Sequence, residues 1–64
     1  MSILRRIERY LKASGTPPTR FGRDAVRDPR LVHDLRGGRQ LGGAVTARVS
    51  DYLDRSEQAG KVQS

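Results

Sequence analysis

Prolines and glycines divide this 64-residue chain into four short segments. The breaks fall at Gly15–Pro18, at Asp28-Pro29 and at Gly37–Gly43. Proline lacks an amide hydrogen and clashes with the preceding helical turn, and glycine readily adopts the left-handed conformation that ends helices. Any helix in the first three segments is therefore short, and short helices are stable only when they pack on one another.

Each segment carries apolar residues at helical spacing, which predicts an all-α fold, a compact four-helix domain. We expect Gly60 to end the last helix and residues 60–64 to form a frayed tail outside a domain of residues 1–59. The predicted helices are Ser2–Ser14, Pro18–Val26, Asp28–Arg36 and Ala44–Ala59. In the third, Asp28 is expected to cap the free amides of the first turn and Pro29 to be the first helical residue.

The apolar stripes give the expected core. Gly22 is predicted to allow a close helix contact, since glycine inside a helix costs about 1 kcal/mol relative to alanine. Glu8 and Lys12, four apart, are expected to pair. Tyr52 and Leu53 either complete the core or form a homodimer face on the C-terminal helix. The core candidates are Ile3, Leu4, Ile7, Leu11, Phe21, Ala25, Leu31, Val32, Leu35, Val45, Val49, Tyr52 and Leu53.

The composition excludes several classes of protein. With no cysteine and one histidine, neither a disulfide nor a typical zinc site is expected, and no cofactor is implied. No run approaches the roughly 20 apolar residues of a membrane span. Residues 2–14 are basic and amphipathic, as in a membrane-surface helix or transit peptide, but Glu8 and the tight continuation into the next helix disfavour both. We expect a cytosolic protein.

The positive charge is concentrated in the first part of the chain. The net charge is +6, and residues 1–39 hold ten basic and four acidic side chains, against three of each in residues 40–64. This asymmetry favours a polyanionic partner. Eleven of the 13 basic residues are arginine, however, so a GC-rich coding sequence is an alternative source of the excess.

Residues 17–38 resemble the helix-turn-helix of the lambda-repressor-like (Cro/XRE-type) DNA-binding family. The family pattern is Thr-Gln-x-x-Leu-Ala-x-x-hydrophobic-Gly-x-Ser-x-x-x-Ile-x-x-Leu-x-x-Gly. The pair Phe21-Gly22 matches Leu-Ala, Val32 and Leu35 match the later apolar positions, and Gly38 matches the closing glycine. Thr46, Val49 and Leu53 resemble the start of the family's following helix.

Two departures from the pattern affect specific expectations. Val26 stands where the family has the turn glycine, which puts the turn geometry in question. Pro17 and Pro18 replace Thr-Gln, and this removes a frequent DNA contact from the start of the second helix.

The resemblance implies that the third helix enters the major groove while the second crosses the phosphate backbone. Arg30 is the best candidate for base readout, because its guanidinium can bind O6 and N7 of guanine together. Asp34 is a candidate to accept a hydrogen bond from N4 of cytosine, but orienting an arginine such as Arg30 is the favoured role. The full base-contacting set is Pro29, Arg30, His33 and Asp34, and the phosphate-contacting set is Thr19, Arg20, Arg23, Arg36 and Arg39.

The sequence therefore predicts specific binding to double-stranded DNA by a small transcriptional regulator. The alternatives are a basic helical module that binds an acidic protein, and a non-specific nucleoid-associated protein. An enzyme is not expected, since His33 and Asp34 are adjacent on a helix and do not face each other.

Overall fold

The computed structural model describes the backbone of residues 2–63 and the side chains of residues 2–57, and over that part of the chain it contains four α-helices and no strand. The expected all-α class is confirmed. Helix α2 packs against α3 and α4, and α1 lies against the same two helices. The helices are α1 (Ile3–Ser14), α2 (Pro18–Val26), α3 (Leu31–Arg36) and α4 (Gly43–Gln63).

The ends of α1 follow its sequence signals. The Ser2 hydroxyl accepts a hydrogen bond from the Arg5 amide at 3.2 Å, which satisfies one of the free donors of the first turn. At the other end, Gly15 adopts a left-handed φ of 71° and its amide donates to the Leu11 carbonyl. Pro18 opens α2 as its first residue, as expected.

The connection between α2 and α3 turns at Arg27. This residue has φ 59° and ψ 32°, which is the left-handed region. The family resemblance places the turn glycine at Val26, so the left-handed residue lies one position later than the resemblance implies. The amides of Arg27 and Asp28 donate to the carbonyls of Arg23 and Gly22, respectively. These bonds close the C-terminal end of α2, and they hold an arginine in a conformation that L-residues rarely adopt.

Helix α3 begins two to three residues later than predicted, so the roles assigned to Asp28 and Pro29 are wrong. Residues 28–31 form a turn in which the Leu31 amide donates to the Asp28 carbonyl at 3.1 Å. Arg30 has φ −94° and ψ 2°, which fits the third position of a type I turn with aspartate first and proline second. The Asp28 side chain accepts from the Arg30 amide at 3.0 Å. This local bond stabilises the turn instead of capping a helix.

The end of α3 agrees with the sequence. Gly38 has φ 100°, the left-handed residue expected in the Gly37-Gly38 pair. The Asp34 carbonyl accepts from the amides of Gly37 and Arg39, so the chain folds back over the last turn of α3.

Helix α4 differs from its prediction at both ends. It begins at Gly43 rather than Ala44 and continues through Gly60 to Gln63, while Ser64 lies outside the described residues. A single glycine costs a helix only about 1 kcal/mol and ends it mainly by turning left-handed. The predicted helix end at Gly60 is therefore wrong, whereas the domain of residues 1–59 with a frayed tail at 60–64 stays a prediction.

The core lies where the four helices meet, and it is built from the predicted stripes. The rings of Tyr10 and Tyr52 lie 5.7 and 5.5 Å from the Phe21 ring, the second edge-on. Leu53 is fully buried, and burial raises the pKa of the Tyr52 hydroxyl above its ordinary value. Leu53 therefore belongs to the core and offers no surface for a dimer, while half-buried Tyr52 packs against the core and the homodimer stays a prediction. The buried side chains are Ile7, Leu11, Phe21, Leu31, Val32, Leu35, Val49 and Leu53.

Gly22 of α2 lies close against the turn that precedes α3 and against Leu31, the first residue of α3. It is fully enclosed, and a Cβ at this position would overlap the Asp28 carbonyl oxygen and lie 3.0 Å from the Leu31 Cβ. The close contact predicted for Gly22 is confirmed. Because the Asp28 carbonyl also accepts the Leu31 amide, the obstructing atom belongs to the Asp28–Leu31 turn and cannot move independently of it.

We predict that Gly22→Ala lowers the free energy of unfolding by about 1–3 kcal/mol or more, the usual cost of forcing extra atoms into a close contact. The measurement is urea unfolding followed by circular dichroism. Gly43→Ala is the matched control, because a Cβ at Gly43 meets nothing within 4 Å. Equal stabilities of Gly22→Ala and wild type would show that α2 and α3 do not depend on this contact.

We also predict opposite effects at Arg27. Replacement by glycine relieves the left-handed strain and leaves the free energy of unfolding unchanged or higher, whereas Arg27→Val lowers it by about 1 kcal/mol or more, since β-branched residues are outliers at positive φ. Thermal unfolding of the two variants checks this. A valine variant as stable as the glycine variant would contradict the left-handed turn.

Candidate nucleic-acid interface

The outer face of α3 carries the predicted base-reading side chains. Leu31, Val32 and Leu35 are buried against the other helices, so the opposite side of α3 faces solvent. Arg30 at the start of the helix and His33 three residues later are both exposed. Residues three apart lie on one face of a helix, so these two form a single polar surface. Pro29, in the Asp28–Leu31 turn, is exposed beside them.

Asp34 does orient an arginine, but the partner is Arg39 rather than Arg30. The Arg39 Nη1 atom lies 2.9 Å from Asp34 Oδ2 and 3.1 Å from Asp28 Oδ2. The expected Asp34–Arg30 pair is therefore wrong. Arg39 follows the left-handed Gly38, which returns the chain toward α3, so its guanidinium reaches both carboxylates.

The ion pairs of Arg39 with Asp28 and Asp34 weaken its candidacy as a phosphate contact. Hydrogen bonds from its guanidinium to Asp28 and Asp34 raise the pKa of Arg39 above its ordinary value. A phosphate would compete with two carboxylates for this group. No sequence pattern indicates that competition, because the three residues meet only in the folded chain.

Arg36 is also held within the protein. Its Nε and Nη2 atoms lie 3.0 and 2.7 Å from the two carboxylate oxygens of Glu8, a bidentate pair that joins α3 to α1. Glu8 therefore pairs with Arg36, 28 residues away in the sequence, and not with Lys12 as expected. The hydrogen bond from Arg36 lowers the pKa of the Glu8 carboxyl below its ordinary value of 4.5, and the same bond raises the pKa of Arg36.

The predicted phosphate contacts on α2 remain at the surface. Thr19, Arg20 and Arg23 are exposed, and Arg20 makes only a long contact of 3.6 Å with Asp24. Within the described residues Arg23 and Arg30 form no ion pair, and neither does Arg27 between them. Arg27 was not among the predicted site residues. The signal that points to it is its position at the left-handed turn, where its side chain is exposed beside the start of α3.

The basic side chains of α1 lie on two sides of the helix, one side facing α4 and the other facing solvent. Arg6 donates to Ser50 at 3.1 Å and pairs with Asp54 and Glu57, which fastens α1 to α4. The outer side of α1 carries three exposed cations at helical spacing: Arg5, Arg9 and Lys12.

Other kinds of site find little support in the described part of the chain. Among those residues no group of three histidine, cysteine or acidic side chains is placed to hold a metal ion. None of the helices described there combines the length and apolarity needed to cross a bilayer. Comparison of the chain with protein-family models, with curated proteins and with solved structures finds no match. The α2–α3 surface itself is therefore the feature of this chain that indicates a function.

The Glu8–Arg36 pair predicts a specific pH dependence. Because the pKa of folded Glu8 is depressed, its stabilising effect is present above the unfolded value and is lost as the pH falls through the folded one. We expect Glu8→Gln to be less stable than wild type at neutral pH. The difference should shrink as the pH falls below 4.5.

Denaturant unfolding of both proteins between about pH 3 and pH 7 measures this difference. A difference that is the same at every pH would mean that Glu8 acts through its shape and not through its charge.

Proposed function

We propose that this chain is a helix-turn-helix domain that binds specific double-stranded DNA sequences and acts as a small transcriptional regulator. The observation that carries the proposal is the α2–α3 pair. At Gly22, α2 is in backbone contact with the turn that leads into α3, and the outer surface of the pair holds exposed Arg30 and His33 beside exposed cations of α2. A rigid pair with one exposed polar helix face is what insertion into a groove requires.

The short length of α3 limits which residues can read bases. Six helical residues span about 9 Å, less than the width of the major groove of about 12 Å. In helix-turn-helix proteins the N-terminal residues of the second helix contact the base edges, so the start of α3 and the turn before it are the candidates here. Arg30 would bind guanine through its two donors, and His33 would contact the neighbouring base edge or a phosphate.

The phosphate backbone would be contacted from α2. Thr19, Arg20 and Arg23 are exposed on this helix, and Arg27 extends the row toward α3. Such contacts supply affinity and orientation without sequence information. Arg36 and Arg39 would have to leave carboxylate partners to contribute, so we assign the principal phosphate contacts to α2.

The first experiment selects bound fragments from a random DNA pool and then titrates the selected duplex at several salt concentrations. We expect a consensus site and a linear fall of log affinity with log salt, with a slope of about −0.9 per phosphate contacted. No binding at low salt would refute the proposal. Binding that is steep in salt but indifferent to sequence would identify a non-specific nucleoid protein, and retention of an acidic protein without DNA binding would identify an interaction module.

Two substitutions separate readout from backbone contact. Arg30→Ala should cost about 1–3 kcal/mol at one base position and relax the preference there, because it removes a base-edge donor. Arg23→Ala should weaken all sequences alike and reduce the salt slope by about 1.

Arg55→Ala is the matched control, since it also removes one exposed cation but from α4, where Arg55 pairs with Asp51. Equal losses for Arg30→Ala and Arg55→Ala would show that only net charge matters.

A further inference from the structure

Arg39 joins two points that flank the exposed face of α3. Its Nη1 atom donates both to Asp28, which precedes α3, and to Asp34, which lies inside it. Its backbone amide donates to the Asp34 carbonyl at 2.9 Å. Arg39 is therefore attached to α3 through its main chain and its side chain together.

The Asp28 carboxylate links this attachment to Arg30. One of its oxygens accepts from Arg39, and the other accepts from the backbone amide of Arg30 at 3.0 Å. The Arg39 guanidinium thus holds the Asp28 carboxylate in place. The carboxylate in turn holds the backbone of Arg30. Only one side chain, that of Asp28, lies between Arg39 and the backbone of the proposed base-reading residue.

A helix of six residues needs such a restraint. It cannot hold its conformation alone, and its three buried leucine and valine side chains restrain only the inner side. The Arg39 contacts restrain the preceding turn and the middle of the helix relative to each other. Small shifts at this point matter, because hydrogen bonds to a base edge tolerate little change in distance or angle.

The same contacts alter the charge of the surface. Asp28 and Asp34 place two carboxylates beside Arg30, where uncompensated negative charge would repel phosphates. Arg39 lies between these carboxylates and offsets part of their charge.

We propose that Arg39 is a positioning residue for sequence readout and not a phosphate clamp: through Asp28 and Asp34 it holds the Asp28–Leu31 turn and α3 in the arrangement that presents Arg30 to DNA. This inference rests on the proposed function for its effect on DNA. Its effect on α3 can be measured in the protein without DNA.

The first test is amide hydrogen exchange in the unbound protein. Arg39→Ala should speed exchange at the amides of Arg30, Leu31 and Asp34 at least about twofold, while the buried middle of α1 around Ile7 is unchanged. Arg23→Ala, which removes an equally exposed arginine from α2, should leave all of them unchanged. Unchanged exchange in α3 of Arg39→Ala would overturn the positioning role whatever the DNA result.

The second test compares binding to the selected duplex and to random duplex. Arg39→Ala should lower the ratio of specific to random affinity at least about twofold, and Arg39→Lys should recover part of it, because a single ammonium can still lie between both carboxylates. A clamp behaves differently: its loss weakens both duplexes equally and reduces the salt slope by about 1.

The third test asks whether Arg39 acts through its carboxylate partners. Asparagine at positions 28 and 34 removes the negative charges while keeping an oxygen that can accept the Arg30 amide. In the Asp28→Asn, Asp34→Asn background, Arg39→Ala should change the specific-to-random ratio much less than in wild type. An undiminished effect there, or an equal loss for both duplexes, would overturn the inference while wild-type binding still supports the proposed function. Absence of wild-type binding would instead refute the proposed function and the readout role together.

Discussion

The backbone contact at Gly22 is the constraint on which the α2–α3 surface depends. Because Gly22 has no side chain, the Asp28 carbonyl and Leu31 can approach the backbone of α2 directly. Phe21, the neighbouring residue, enters the core between Tyr10 and Tyr52. One dipeptide therefore fixes α2 to the rest of the domain and α3 to α2. A six-residue helix can serve as a binding element here because its position is set by a neighbour rather than by its own length.

The arginines divide into two groups once their partners are known. Arg6 and Arg36 connect α1 to α4 and to α3, respectively, and Arg39 braces the flank of α3. Arg23 and Arg30 form no ion pair within the described residues and are exposed. Net charge alone could not make this distinction, since every arginine contributes equally to it. The surface available to a polyanion is therefore smaller than the composition suggests. It includes α2 and the start of α3, and the outer side of α1 carries three further exposed cations.

Sequence patterns predicted the parts of the structure that depend on local periodicity. The buried positions of α3 and the contact at Gly22 follow from spacing and from the cost of glycine in a helix. The predicted start of α3 was wrong because Asp28-Pro29 suits both a helix cap and a type I turn. Contacts in the folded chain decide between the two. The partners of Glu8 and Asp34 could not be predicted, because Arg36 and Arg39 reach them only after the helices pack. For the candidate site, the exposure of the side chains could be predicted from the sequence, but their ion-pair partners could not.

The aromatic cluster also determines what optical methods can detect in this protein. The chain has no tryptophan, and both of its tyrosines touch Phe21, so intrinsic fluorescence and near-ultraviolet dichroism arise from one place where α1, α2 and α4 meet. Helix α3 contains no phenylalanine, tyrosine or tryptophan. Its opening would leave these signals almost unchanged, and an unfolding curve recorded with them describes the scaffold and not the helix proposed to read DNA. Motions of α3 are spectroscopically silent unless a probe is placed on it.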